Sequence, residues 1–168
     1  MYDFQTNLKD NRLAEEAAHG LDGVIDKSDP KQSKHLYGLV VQYEDIDAGG
    51  IVYHSTYLNF AERARSALLR ASKFDVQYWL AGENQGFVIT HIETDYLSPA
   101  KLHNRLIVET SCLQLGGASA LLQQNINSFD RGHIFARVMV KAAWVDIELG
   151  PRKFPEPLQM VLRSFQPK

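Results

Sequence analysis

One cysteine, Cys112, stands in 168 residues, so the chain cannot form a disulfide within itself, and the Cys-His spacings of a structural zinc site are missing as well. A reducing, cytoplasmic setting is the expectation. Charge of one sign is lacking too. Eighteen Lys and Arg against twenty Asp and Glu leave a formal net charge of -2, without the concentrated positive charge that holds a phosphate backbone, so nucleic acid is not an expected partner. Long apolar runs are also missing. The richest stretches are broken by Arg137, Lys141 or Asp146, and none approaches the roughly eighteen residues of a membrane span. Asp3, Lys9, Asp10, Glu15 and Glu16 occupy the region where a signal peptide would need an uninterrupted apolar core, so no secretory leader is expected.

What is present suits one domain of ordinary size, with 45% hydrophobic and 23% charged residues. The texture of the chain changes near His35. Residues 1–34 are polar, and the run DGVIDKSDPKQSK has turn formers without periodicity, which reads as a mobile N-terminal extension. Leu13, Ala14, Ala17, Ala18 and Leu21 form only a weak apolar stripe, cut short by Gly20 and Gly23. From His35, HLYGLVVQY reads as a strand that ends in the turn-like EDIDAGG.

After Ser55 and Thr56, apolar residues recur at Tyr57, Phe60, Ala61, Ala64, Leu68 and Ala71, the three-and-four spacing of a long buried helix. A shorter helical piece over 76–81 is expected to stop at Gly82. Four further strands follow at 87–97, 105–115, 119–129 and 133–146, separated by turns suited to antiparallel neighbours. Residues 154–168 read as a C-terminal tail. The whole is α+β: one antiparallel five-stranded sheet wrapped around one long central helix.

The densest chemical constellation is YEDIDAGGIVYHSTYLNFAERAR, at the point where the first strand hands over to the long helix. Gly49 and Gly50 would let a ligand approach the main chain, and the first helical turn offers unpaired N–H groups at the positive end of the helix dipole. Asp47 beside that backbone could stay ionised, while an oxyanion forms nearby, as acyl transfer requires. On local composition alone the Asp-x-Asp-x-Gly-Gly run is equally an ordinary turn. Asp45 and Asp47 lack the further ligands of a metal site, His54 alone could be a satisfied polar residue, and Tyr53 and Tyr57 could be core or interface aromatics. Cys112 in mid-strand, without a basic neighbour, reads as an inert thiol.

The same run resembles the signature of the 4-hydroxybenzoyl-CoA thioesterase-like branch of the hotdog fold. Within it the likeness is to bacterial acyl-CoA thioesterases encoded alongside the Tol-Pal envelope system, and it extends from about Leu36 to Lys153. The resemblance implies a hotdog thioesterase domain over 35–153, with the extension and tail outside it. It also implies hydrolysis of acyl-CoA, or of an acyl group on acyl carrier protein, to a free acid and a thiol, with no metal or redox cofactor.

Asp47 falls on the family's catalytic carboxylate, acting as nucleophile or general base. The backbone N–H of His54 falls on its oxyanion donor, and Gly117 and Ser119 fall on a hairpin that contacts the coenzyme A arm. Gly49, Gly50, Tyr53 and Tyr57 are the further expected substrate contacts. Where family members often carry a basic residue, this hairpin has Gly116. A homodimer or homotetramer is implied, with the thioester held between subunits. Two other readings of the same residues are a hydroxyacyl-thioester dehydratase, which would use His54 with Asp47, and a binding module for acyl thioesters or proteins that does not hydrolyse.

Overall fold

The structure is a computed structural model that describes residues 8–168. Its centre is helix α2, Thr56–Ala71, a sixteen-residue element. Tyr57, Phe60, Ala61, Ala64, Ala67 and Leu68 are its buried apolar face, and the alanines allow a sheet to come close without leaving voids. That sheet is antiparallel throughout. It is made of β1 (Val24–Asp26), β2 (Lys34–Val40), β3 (Gln85–Tyr96), β4 (Arg105–Leu115), β5 (Ser119–Ser128) and β6 (Ile134–Asp146), in the spatial order β1-β2-β4-β5-β6-β3. A short β7, Gly150–Pro151, also pairs with β6.

The five expected strands are thus present around one helix, and two short ones are added. Tyr57, Phe60, Ala61 and Ala64 pack on Leu106, Val108, Ile126, Val138 and Val140, which all point to the same, inner face of the sheet by strand alternation.

The described parts of both terminal segments, 8–34 and 154–168, are folded, contrary to their reading as mobile extension and tail. Helix α1, Leu8–His19, lies on the outer face, where Ala14 and Ala17 are buried against Leu36 and Ile107. The stripe that looked weak is sufficient because the sheet supplies its other half. The approach is so close that a Cβ on Gly38 of β2 would lie 2.6 Å from the Ala18 Cα. β1 then pairs with β2 and covers that edge of the sheet. Residues 1–7 of the expected extension lie outside the described residues.

At the other terminus, α4 (Glu156–Ser164) buries Leu158 and Leu162, which join Phe154, Phe165, Leu68, Phe74 and Trp144 in a second core cluster. The termini are also tied to each other: the Gln32 side-chain amide donates to the Phe165 carbonyl at 2.9 Å. Helix α3, Val76–Glu83, runs past Gly82 and ends at Asn84, whose φ of 53° makes it the left-handed cap in place of the glycine.

The opposite edge of the sheet belongs to β3, which pairs with β6 alone. A bulge at Thr90 shifts its register between Ile89 and His91. Before the bulge Phe87 and Ile89 stand opposite the inward Trp144 and Ala142; after it Ile92, Thr94 and Tyr96 stand opposite the inward Val140, Val138 and Ala136. The extra residue therefore keeps one row facing inward along the whole strand.

Candidate active site

Between β2 and α2 the chain makes two successive tight turns. The first is a 3-10 turn at Tyr43–Asp45, closed by the Asp45 carboxylate accepting from the Gln42 N–H at 2.8 Å, while the Asp45 carbonyl accepts from the Tyr53 N–H at 2.9 Å. Asp45 is buried, 4% exposed, and its role is to build the loop. The second turn carries Asp47. Its N–H donates to the Ile51 carbonyl at 2.9 Å, and the Gly50 N–H donates back to the Asp47 carbonyl at 3.0 Å. Gly50 has φ +76°, a left-handed backbone that a side chain would strain. The Asp47 carboxylate is exposed and accepts one hydrogen bond, from the Gly49 N–H at 2.7 Å, which fixes its direction and leaves its other oxygen open.

This turn is clamped to the crossing at Ala100–Lys101. The Ala100 carbonyl accepts from the Val52 N–H at 2.9 Å, its N–H donates to the Tyr57 hydroxyl at 3.0 Å, and Ile51 bridges to Lys101. Tyr57 is 3% exposed, and burial raises the pKa of its hydroxyl, so it stays neutral and anchors the start of α2 to the loop. Tyr53 and His54 are exposed, their rings 4.3 Å apart between centroids. The His54 carbonyl accepts from the Tyr96 hydroxyl at 2.9 Å, whereas the His54 N–H has no acceptor among the described residues. At a helix start, such a free amide is an anion-binding donor.

Asp47, Val52, His54, Tyr57, Tyr96 and Ser98 line one cavity of about 420 Å³, open to solvent on one side. An exposed carboxylate and an unengaged amide thus border one volume, with an apolar and aromatic wall. Gly49, Gly50 and Tyr53 sit on the rim of the same loop.

Gly117 and Ser119 do not join them within one chain. They lie in the β4–β5 hairpin, where the Gly116 N–H donates to the Ser119 carbonyl at 2.8 Å and the Gly117 carbonyl accepts from the Phe154 N–H at 2.8 Å. The Asp47 loop leaves β2 beside Arg105, at the start of β4, so the hairpin is at the opposite end of that eleven-residue strand. At about 3.3 Å per residue the separation is roughly 35 Å.

Two contributors escaped the sequence reading. Tyr96 reaches His54 only because β3 crosses the sheet to its far edge, a pairing no local pattern announces. Lys141 lines the cavity beside the hairpin, with Gln114, Gly116, Ser119 and Leu121. Its outward position in β6 was legible, but its neighbours were not. Cys112 is fully buried, with burial pushing its thiol up to about 11, and takes no part in the site. Among the described residues no group of three or more His, Cys, Asp or Glu side chains could hold a metal ion.

Residues 49–134 match the family model of the thioesterase superfamily. The chain is 38% identical over 127 residues to the acyl-CoA thioesterase YbgC of Haemophilus influenzae, covering 75% of this chain and 92% of that protein. It is 33% identical over 116 residues to the acyl-CoA thioester hydrolase YbgC of Escherichia coli, covering 69% and 86% respectively. Among solved structures, a 1,4-dihydroxy-2-naphthoyl-CoA thioesterase from Synechocystis shares the fold with a TM-score of 0.73 at 20% identity, over 77% of this chain and 96% of that one.

Proposed function

Because the chain belongs to the thioesterase superfamily, with the hotdog fold, we propose that it hydrolyses acyl-CoA thioesters to a free acid and coenzyme A, with Asp47 as the catalytic carboxylate and the His54 backbone N–H as the oxyanion donor. The observation that carries this reading is the placement of an open carboxylate and an unengaged amide on one cavity. The thioester oxygen lies against the His54 N–H, which stabilises negative charge as the carbonyl carbon becomes tetrahedral. Asp47 takes the proton of an attacking water, the C–S bond breaks, and the thiolate leaves and is protonated. In the nucleophilic variant Asp47 itself forms an anhydride that water then opens. Either route needs only the chain's own groups and water, so no cofactor enters. The imidazole of His54 is exposed and sits beside Tyr53 and Tyr96, and the amide-based route does not use it. The setting is cytoplasmic, and acyl carrier protein is a second possible thiol carrier for the same chemistry.

The site is completed by a second copy of the chain. β3 offers an unpaired edge with Val88, Ile89 and Ile92 each about 40% exposed, and the hairpin that would hold the coenzyme A arm is out of reach of Asp47 in one chain. Pairing two β3 edges about a two-fold axis buries that strip and brings the hairpin of one protomer toward the Asp47 loop of its partner. Lys141, beside Ser119, supplies the positive charge for the nucleotide phosphates that Gly116 cannot.

Thiol release from a panel of acyl-CoA thioesters tests the assignment. The wild type should release thiol, and Asp47→Asn should lower kcat by at least about 10²-fold with an unchanged melting temperature. Asp45→Asn should instead lower the melting temperature, since it loosens a buried carboxylate bond. Normal turnover by Asp47→Asn would remove that residue from the mechanism, and a wild type that binds acyl-CoA without releasing thiol would refute hydrolysis.

A further inference from the structure

A second cavity lies further along α2. Leu68 and Leu69 of α2, Phe87 and Ile89 of β3, Leu122 of β5 and Leu162 of α4 form most of its wall, around a narrow space of about 80 Å³. Its only polar edge is Glu62, Arg65 and Ser66 on the rim of the helix. These groups are already committed to one another. The Arg65 guanidinium donates to the Gln124 side-chain oxygen at 2.7 Å and to Glu62, and the Ser66 hydroxyl donates to Glu62 at 3.3 Å. Gln124, fully buried, in turn donates to the Ala61 carbonyl at 2.9 Å and to the Thr110 hydroxyl at 3.1 Å. A ligand entering here therefore meets no unpaired charge.

The row Phe87, Ile89, Ile92, Thr94 and Tyr96, held inward across the Thr90 bulge, runs from this cavity to the one that contains Asp47. Ile89 and Ile92 face inward yet remain 41% and 38% exposed in one chain, so α2 does not cover this row, and the slot left between helix and strand is closed on its outer side by the paired β3 of the proposed dimer. Its wall at Leu68, Leu122, Ala142 and Leu162 has no donor or acceptor for a hydroxyl, all four being apolar. A hydroxylated aromatic acyl group would leave its hydroxyl unpaired there.

Resting on the thioesterase reading above, we propose that this slot receives the alkyl chain of the thioester, that Leu162 of α4 is the end wall that limits its length, and that the substrates are straight-chain acyl groups of about ten to fourteen carbons. The length follows from the helix. Tyr57 borders the Asp47 cavity, and Arg65 to Leu69 border the second one, eight to twelve residues on. At 1.5 Å per residue that is roughly 12 to 18 Å. An extended chain advances about 1.27 Å per bond, one third of the roughly 3.8 Å between successive Cα atoms, which gives on the order of ten to fourteen bonds. The specificity element is therefore a helix outside the residues 49–134 that match the family model.

The test is kcat/KM for saturated acyl-CoA thioesters from C4 to C18, with benzoyl- and hydroxybenzoyl-CoA, for the wild type, Leu162→Ala, Leu162→Phe and the exposed α4 control Met160→Ala. The wild type and Met160→Ala should peak at about C10 to C14. Leu162→Ala should move the peak longer by about two carbons, as the truncated side chain opens the end wall, and Leu162→Phe should move it shorter. Melting temperatures identify a variant whose helix has come away. In that event, Leu162→Met and Leu162→Val, which nearly preserve volume, carry the comparison.

A wild-type preference for benzoyl or C4 thioesters, or a peak that stays in place in every folded Leu162 variant, would overturn the proposal. Calorimetric binding of the same series to Asp47→Asn separates it from the catalytic reading. Affinity that rises to C10–C14 in a protein whose wild type releases no thiol would uphold the slot and refute hydrolysis. Turnover with affinity independent of chain length would do the reverse.

Discussion

Tyr96 shows how a single hydroxyl can matter at a distance from the reacting bond. His54 lies one residue before the N-cap of α2, so its carbonyl is outside the helical ladder, and the Tyr96 hydroxyl donates to it. That contact sets the backbone on one side of residue 54, and with it the direction of the N–H on the other. Tyr96 is thus a positioning residue. Tyr96→Phe keeps the ring contacts to Tyr57 and His54, with centroids at 5.7 and 6.4 Å, and removes only the hydrogen bond. A net hydrogen bond of about 0.5–1.5 kcal/mol corresponds to roughly two- to tenfold in kcat, with little change in KM or melting temperature. Steady-state kinetics decide the matter: a fall confined to KM would place the hydroxyl on the substrate, and no fall would mean that the turn holds itself.

At the scale of elements, α1 and β1 hold the β2 edge, and the turn between them is tied to a buried histidine of β2. His35 of β2 is fully buried, and its Nε2–H donates to the Asp22 carbonyl at 2.7 Å, while its Nδ1 has no partner. The charged groups that face it are Asp22 in the turn and Arg70 of α2, which pair with each other at 2.6 Å. Burial is the largest influence and lowers the His35 pKa below its ordinary 6.5, against the smaller opposing pull of Asp22. The sign follows from linkage. Above about 6.5 both folded and unfolded chains carry a neutral ring and nothing is lost, whereas below it the unfolded chain binds a proton that the folded chain resists. Thermal stability should therefore decline as pH falls from 7 toward 5, and His35→Leu should flatten part of that decline. Equal slopes in the two proteins would show that other groups govern the acid limit.

At the scale of the whole molecule, the open edge of β3 and the strand length of roughly 35 Å between the Asp47 loop and the Gly117 hairpin both fit the proposed dimer, in which each cleft would be shared. Shared sites have a distinctive signature in mixed dimers. Asp47→Ala and Gly117→Trp should each be inactive alone, yet a dimer with one of each places both defects in one cleft and leaves the other intact, so about half of wild-type activity should return. No recovery in isolated mixed dimers would confine the site to one chain.

The sequence alone was enough for the α+β order, the long helix with its alanine face and the loop that carries Asp47, because each depends on residues close together in the chain. Periodicity fixes which side of a helix is buried, and Gly49-Gly50 fixes where the chain must turn. Local composition could not separate the building role of Asp45 from the exposed carboxylate of Asp47, since the two differ only in burial, 4% for Asp45, and only the family resemblance singled out Asp47. The tertiary structure decided the rest. The Leu13–Ala18 stripe and the residues after Lys153 are too short to fold by themselves, and they became α1 and α4 because the sheet and α2 offered the missing apolar partners. Tyr96 and Leu162 entered the site for the same reason. Both are placed by packing between residues far apart in sequence, a non-local energy that no local pattern encodes.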